Sequence, residues 1–121
     1  MSTRSKLQIT QRPVGDVTVV ILEGEIALDD GDLALGRYID DLVKAGRVKI
    51  VLDMSGVTYI DSAGVGMMVA ELKLVRSHDG AMRLAALSAR SEHLLAMLKL
   101  KIVFEVFEDV DAAVRSFAWR R

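Results

Sequence analysis

Few side-chain types carry chemistry in proteins, and this 121-residue chain is poor in them. It has no cysteine, which removes thiolate zinc sites, disulfides and cysteine nucleophiles. Its two histidines, His78 and His93, are too few for an all-imidazole metal site. Each reads instead as part of a helix, His78 near an end where a cation complements the dipole. What remains is a serine in a suggestive setting. Ser62 stands in Asp61–Ser62–Ala63–Gly64–Val65–Gly66, just ahead of a helical repeat formed by Val65, Met68, Val69, Leu72 and Val75. That spacing predicts a serine at the N-terminal tip of a helix, beyond the carboxyl end of a strand. In open α/β sheets this is the edge where ligands bind.

Two roles fit such a serine. Asp61 or Ser62 can cap the helix by accepting hydrogen bonds from its first free N–H groups. Alternatively, Ser62 can accept a phosphoryl group, adding about −1.5 to −2 charge and three acceptor oxygens. Helix-end N–H groups favour that anion and the neighbouring Asp61 opposes it. Local physics leaves both roles open. Enzyme readings of the same residues fail. A nucleophile elbow needs G-x-S-x-G, but Ile60 holds the place of its first glycine. Gly64–Val65–Gly66 is an incomplete dinucleotide fingerprint, and no P-loop is present. The expectation is a protein without catalysis, cofactor or metal. On the far side of the helix, Met67 and Leu74 with Glu71 between them read either as cover for a neighbouring helix or as a docking spot one turn from Ser62.

The elements that must position Ser62 follow from periodicity. Leu7–Arg12 and the β-branched run Val17–Leu22 read as strands, joined by a turn over Pro13–Asp16. They form an antiparallel hairpin at one edge of a sheet. From Leu28 to Ala45 the period changes, with Leu35, Tyr38, Ile39 and Leu42 on one helix face and Asp40 and Asp41 on the other. Asp29 or Asp30 is the expected cap. Val48–Met54 reads as a central strand, followed by a turn at Ser55–Gly56 and a short apolar segment Val57–Ile60. A helix then runs from Asp61 or Ser62 to about His78. Next come a strand over Ala81–Leu87, a helix over Ser88–Leu100, a strand over Ile102–Phe107 and a terminal helix over Asp109–Arg121. Met97 and Leu98 read as core positions and Trp119 as a packing anchor. Alternating strands and helices predict one α/β domain: four to five strands in a mostly parallel mixed sheet, with about four helices.

Sixteen basic and seventeen acidic residues leave a formal charge of −1. There is no global basic excess to grip nucleic acid or an anionic membrane. No apolar leader region follows Arg4 and Lys6, and no stretch approaches the roughly 20 apolar residues of a membrane span. A soluble, cytoplasmic protein is the expectation.

Four segments together resemble a known family. They are Gly24–Glu25–Ile26, the block L-D-M-S-G-V-T-Y-I-D-S-A-G-V-G-M-M over Leu52–Met68, the strand A-M-R-L-A-A-L over Ala81–Leu87, and K-I-V-F-E-V-F over Lys101–Phe107. The chain is similar to STAS domains from about Val17 to Phe117, and within them to the single-domain bacterial anti-sigma-factor antagonists. The resemblance implies a protein that binds an anti-sigma factor, itself an ATP-dependent serine kinase, and so releases a sigma factor. The kinase would phosphorylate the serine matching Ser62, ending the binding, and a metal-dependent serine phosphatase would reverse it. Asp61 matches the acidic neighbour of that serine, and Gly24–Glu25 a segment near the docking surface. The partner-binding set implied is thus Gly24, Glu25, Asp61, Ser62, Gly64 and Val65, with Met67 and Glu71 from the helix wheel. One position departs from the pattern. Ala27 stands where these antagonists usually carry an aspartate near the modified serine, and the nearest acids are Asp29 and Asp30. The competing reading is a constitutive, unphosphorylated STAS subunit of a larger assembly such as a lipid-transport complex, with Ser62 only a cap.

Overall fold

The computed structural model describes residues 5–118 of the chain. Five strands, β1 (Leu7–Val14), β2 (Val17–Ile26), β3 (Lys49–Ile60), β4 (Ala81–Ala85) and β5 (Val106–Phe107), lie side by side in chain order. Only the β1–β2 pair is antiparallel. Helices α1 (Gly31–Lys44), α2 (Ser62–Ser77) and α3 (Ala89–Met97) are the crossovers between parallel strands, and α4 (Val110–Ala118) follows β5. The expected α/β domain of four to five strands and about four helices is adopted, with five strands and four helices among the described residues.

Alternation along the strands sorts the core into two layers. Val20 and Leu22 of β2 join Ile50, Leu52 and Met54 of β3 beneath α1 and α2, whose inward residues include Leu35, Ile39, Met68 and Leu72. Val17, Val19 and Val51 face the other way and pack with Ala113 of α4. Parallel strands with helical returns place the start of every crossover helix at one edge of the sheet and its end at the opposite edge.

Several boundaries differ from the periodicity reading. Pro13 and Val14 pair with Thr18 and Val17, so the hairpin turn is Gly15–Asp16 alone, with Gly15 at φ +62. A proline is tolerated there because β1 is an edge strand. The chain does not turn at Ser55–Gly56. β3 continues to Ile60 because irregularities at Ile21/Glu23 and Gly24/Glu25 let β2 keep pairing with it. Asp30 occupies the cap position of α1 without a side-chain cap bond. Instead the buried Asp32 accepts from the N–H groups of Asp30 and Leu33. The expected strand over Ile102–Phe107 shrinks to Val106–Phe107, because the Leu100 carbonyl collects the N–H groups of Val103 and Phe104 in a turn and Phe104 drops into the core. Met97 and Leu98, expected inside, are 64% and 41% exposed. Trp119 and the end of the terminal helix at Arg121 lie outside the described residues.

The α1–α2 contact settles the far face of α2. A methyl group at Gly36 would come within 2.7 Å of Met67 Sδ and 3.5 Å of Glu71 Oε2, so the two helices approach closely at that glycine. Glu71 is buried, and its Oε1 has no hydrogen-bond partner among the described residues. Burial, together with a hydrogen bond to Asp40 and repulsion from it, raises the Glu71 pKa from an ordinary 4.5 to about 8. Asp40 therefore turns toward α2 rather than away from the core. Because the folded chain holds this proton more tightly than the unfolded chain, the stabilisation it brings is complete below about pH 4.5. It declines as pH rises through about 8. Glu71→Gln is expected to flatten that decline. Thermal melts at pH 5, 6.5 and 8 check this: the variant should gain on the native chain at each upward step.

Candidate functional site

The site is built on one close approach. The tip of α2 lands on the end of β2, where the Asp61 N–H meets the Ile26 carbonyl at 3.4 Å. A Cβ at position 64 would overlap that same carbonyl oxygen, so Gly64 is the residue that lets the helix seat there. Gly31 allows a matching approach of α1 to the Glu25 carbonyl. Both helix starts are thereby pressed onto the last residues of β2, and the segments around Glu25, Asp30 and Ser62 share one edge of the sheet.

Asp61, not Ser62, is the cap. Its backbone is extended, and its carboxylate accepts from Gly64 N–H at 2.9 Å and from Leu28 N–H at 3.1 Å. One carboxylate thus closes α2 and ties down the loop between β2 and α1. Burial pushes its pKa up, but bonds from the N–H groups of Gly64, Leu28 and Ala63 outweigh burial and hold it below the ordinary carboxylate value. Ser62, the first residue of α2, is exposed, and its hydroxyl bonds to no other described residue. A nucleophilic oxygen at the start of a helix, free of structural duty, is open to modification.

The other expected site residues divide into two groups. Gly24 and Glu25 lie at the end of β2, paired with Val57 and Tyr59 of β3; Gly24 takes φ +116 and its carbonyl accepts from Thr58 Oγ1. The Gly24 conformation accompanies a close approach to the Lys6 carbonyl that a Cβ would block, and both residues share the Ser62 edge. Gly64 and Val65 are buried and support the tip from beneath. Glu71 is covered by α1 and Met67 packs beside Gly36, so neither forms an open docking spot. The turn Ala27–Asp30 keeps its shape through the Ala27 carbonyl, which accepts from the N–H groups of Asp30 and Asp32. Asp29 is exposed there at φ +63, and the Asp30 carboxylate is occupied by Lys6 N–H.

Sequence reasoning missed three apolar residues at this edge. Leu28, Leu33 and Tyr59 are 62%, 42% and 44% exposed. Tyr59 sits in an apolar segment that reads as buried, and Leu28 lies in the loop between β2 and α1. Around the exposed Ser62 the edge therefore offers apolar side chains among Asp29, Asp30 and Glu25. Among the described residues no group of three His, Asp or Glu side chains could hold a metal ion, and no helix is long and apolar enough to cross a membrane.

The STAS domain model matches residues 8–113. The chain belongs to that family. A Thermotoga neapolitana protein described as a candidate anti-sigma factor antagonist is 27% identical over 107 residues, covering 88% of this chain and 95% of its own. Among solved structures, an anti-sigma factor antagonist from Mycobacterium paratuberculosis has a TM-score of 0.82 at 21% identity, over 96% of this STAS domain chain and 97% of its own. The phosphorylated form of the Bacillus cell fate determinant SpoIIAA has a TM-score of 0.71 at 16% identity, over 91% and 99%. At those identities the structures show a shared fold.

The division of labour between the adjacent residues has a direct test. Asp61→Ala is expected to cost about 0.5–2 kcal/mol through loss of the cap. Ser62→Ala should stay within about 0.5 kcal/mol. Gly64→Ala, forced against the Ile26 carbonyl, should cost roughly 1–3 kcal/mol. Urea unfolding of the three variants measures the order.

Proposed function

We propose that this STAS domain is an anti-sigma-factor antagonist that docks on its partner through the Ser62 edge and is released when Ser62 is phosphorylated. The observation that carries the reading is the exposed, unengaged Ser62 hydroxyl beside a helix cap supplied by Asp61. The names of the Thermotoga and Mycobacterium relatives support the role, and a phosphorylated form within the same fold supports the switch.

The partner in this reading is an anti-sigma factor with serine kinase activity. The γ-phosphoryl group of ATP passes to Ser62 Oγ, ADP leaves and the hydroxyl proton is released. A serine phosphatase then hydrolyses the ester. The chain itself acts as substrate and ligand, not as catalyst. A phosphate at Ser62 brings about −1.5 to −2 charge to an edge that already holds Glu25, Asp29, Asp30 and Asp61. A partner surface complementary to the unmodified edge then faces like charge or an unpaired buried anion, and the complex opens. Ala27 removes one acid from this neighbourhood, which lowers the charge the phosphate must overcome.

Incubation with the cognate kinase and Mg²⁺-ATP should add one phosphate, and Ser62→Ala should abolish it. Ser62→Asp should weaken partner binding by about tenfold or more. Label on another residue with Ser62 intact, or native binding by Ser62→Asp, would overturn the assignment. Stable co-purification with other subunits, indifferent to ATP, would instead favour a constitutive STAS subunit.

A further inference from the structure

The net charge of −1 conceals a segregation along the sheet. The helices start at the Ser62 edge, where Asp29, Asp30, Asp32, Asp61 and Asp109 gather, and end at the opposite edge. That far edge carries Lys44 at the end of α1, Arg47 beyond it, Arg76 at the end of α2, and Lys99 and Lys101 beyond α3. Asp79 lies among them, Asp40 and Asp41 stand near the end of α1 and Asp16 in the β1–β2 turn. The ion pairs seen among the described residues, Lys49–Asp16 and Arg83–Glu105, nevertheless engage none of these five cations.

Apolar side chains project from the same edge. Met97, the last residue of α3, is 64% exposed, and Leu98 and Ile102 in the turn that follows are 41% and 94% exposed. The turn is built firmly. Lys99 N–H bonds to the Ala96 carbonyl and Leu100 N–H to the Leu95 carbonyl, with Lys99 at φ +59, a position that glycine ordinarily fills. Arg76 Nη2 donates to the Val103 carbonyl and ties the turn to α2. Between α1 and α2, Lys44, His78 and Asp40 rim a cleft of about 330 Å³ floored by Val43 and Leu74.

We propose that this edge is a peripheral contact for an anionic lipid surface. Ile102, Met97 and Leu98 enter the headgroup boundary, while Lys99, Lys101, Arg76, Lys44 and Arg47 meet lipid phosphates. A helix-accepting groove or a long free strand, the features by which peptide segments are gripped, is not what these exposed residues form. Protruding apolar side chains with Lys99 and Lys101 beside them and further cations along the same edge suit a bilayer interface. The contact leaves the Ser62 edge facing away from the lipid, so it is independent of the switch at that serine.

The test is sedimentation of the full chain with phosphatidylcholine vesicles, with and without phosphatidylglycerol. Binding is expected only with the anionic lipid and should fall as salt rises toward roughly 0.5 M. Each lysine removed should weaken partitioning about fivefold. Lys99→Gly deletes a charge and relieves the left-handed strain, so its melting temperature should hold or rise while binding drops. Ile102→Asp, at a nearly fully exposed position, should fold normally and lose binding. Ser62→Asp should bind vesicles like the native chain. No binding to anionic vesicles, equal binding to neutral ones, or native binding by a Lys99→Gly/Lys101→Gln/Ile102→Asp variant would overturn the proposal. Binding found only to an acidic protein would do the same.

Discussion

The contact between Gly64 and the Ile26 carbonyl governs the rest of the structure around Ser62. A helix start ordinarily stands off from a strand end by the width of a Cβ. Here that atom is missing, and α2 seats directly on β2. The seating brings the Asp61 carboxylate within reach of two N–H groups, one on its own helix and one on Leu28 of the preceding loop. Helix, strand end and loop become one unit through a single carboxylate. Its lowered pKa has the same cause, since the bonds that organise the edge favour the charged form.

Adjacent residues consequently carry separate duties. Asp61 is structural and Ser62 is free, which suits the proposed switch. A residue that changes charge should not also hold the fold together, or each switching event would cost stability. The pattern continues outward: Gly64 and Val65 are buried support, whereas Leu28 and Tyr59 supply exposed surface. Met67 and Glu71, which helical spacing alone makes candidates for a surface, are consumed by the packing of α2 on α1 at Gly36. A carboxyl whose pKa is raised by burial and by the nearby Asp40 is the consequence of that packing.

The same topology explains how the charge is arranged. Parallel strands joined by helices set the helices alike, and acidic side chains favour helix starts while basic ones favour helix ends. Placing Asp32 and Asp111 in first turns and Lys44, Arg76 and Arg115 in last turns is a local preference of each helix. Stacked in one direction, these preferences become an acidic edge and a basic edge. A nearly neutral chain thus presents two surfaces of opposite character.

By itself, the sequence determined the alternation of strands and helices, the start of α2 at Asp61–Ser62 and the candidacy of Ser62. These are local properties, set by β-branched runs, 3.6-residue spacing and turn chemistry within a few residues. Tertiary structure decided what depends on distant partners. Pairing with a bulged β2 carried β3 past Ser55–Gly56 to Ile60, and the N–H groups of Gly64 and Leu28 made Asp61 the cap. Packing of α1 buried Glu71, and the Leu100 turn shortened β5 and left Met97, Leu98 and Ile102 outside. Leu28 and Asp61 are 33 residues apart in the chain and share one hydrogen bond. Periodicity reports which face of an element is apolar, but the neighbour that covers or leaves that face is chosen only when the chain closes on itself.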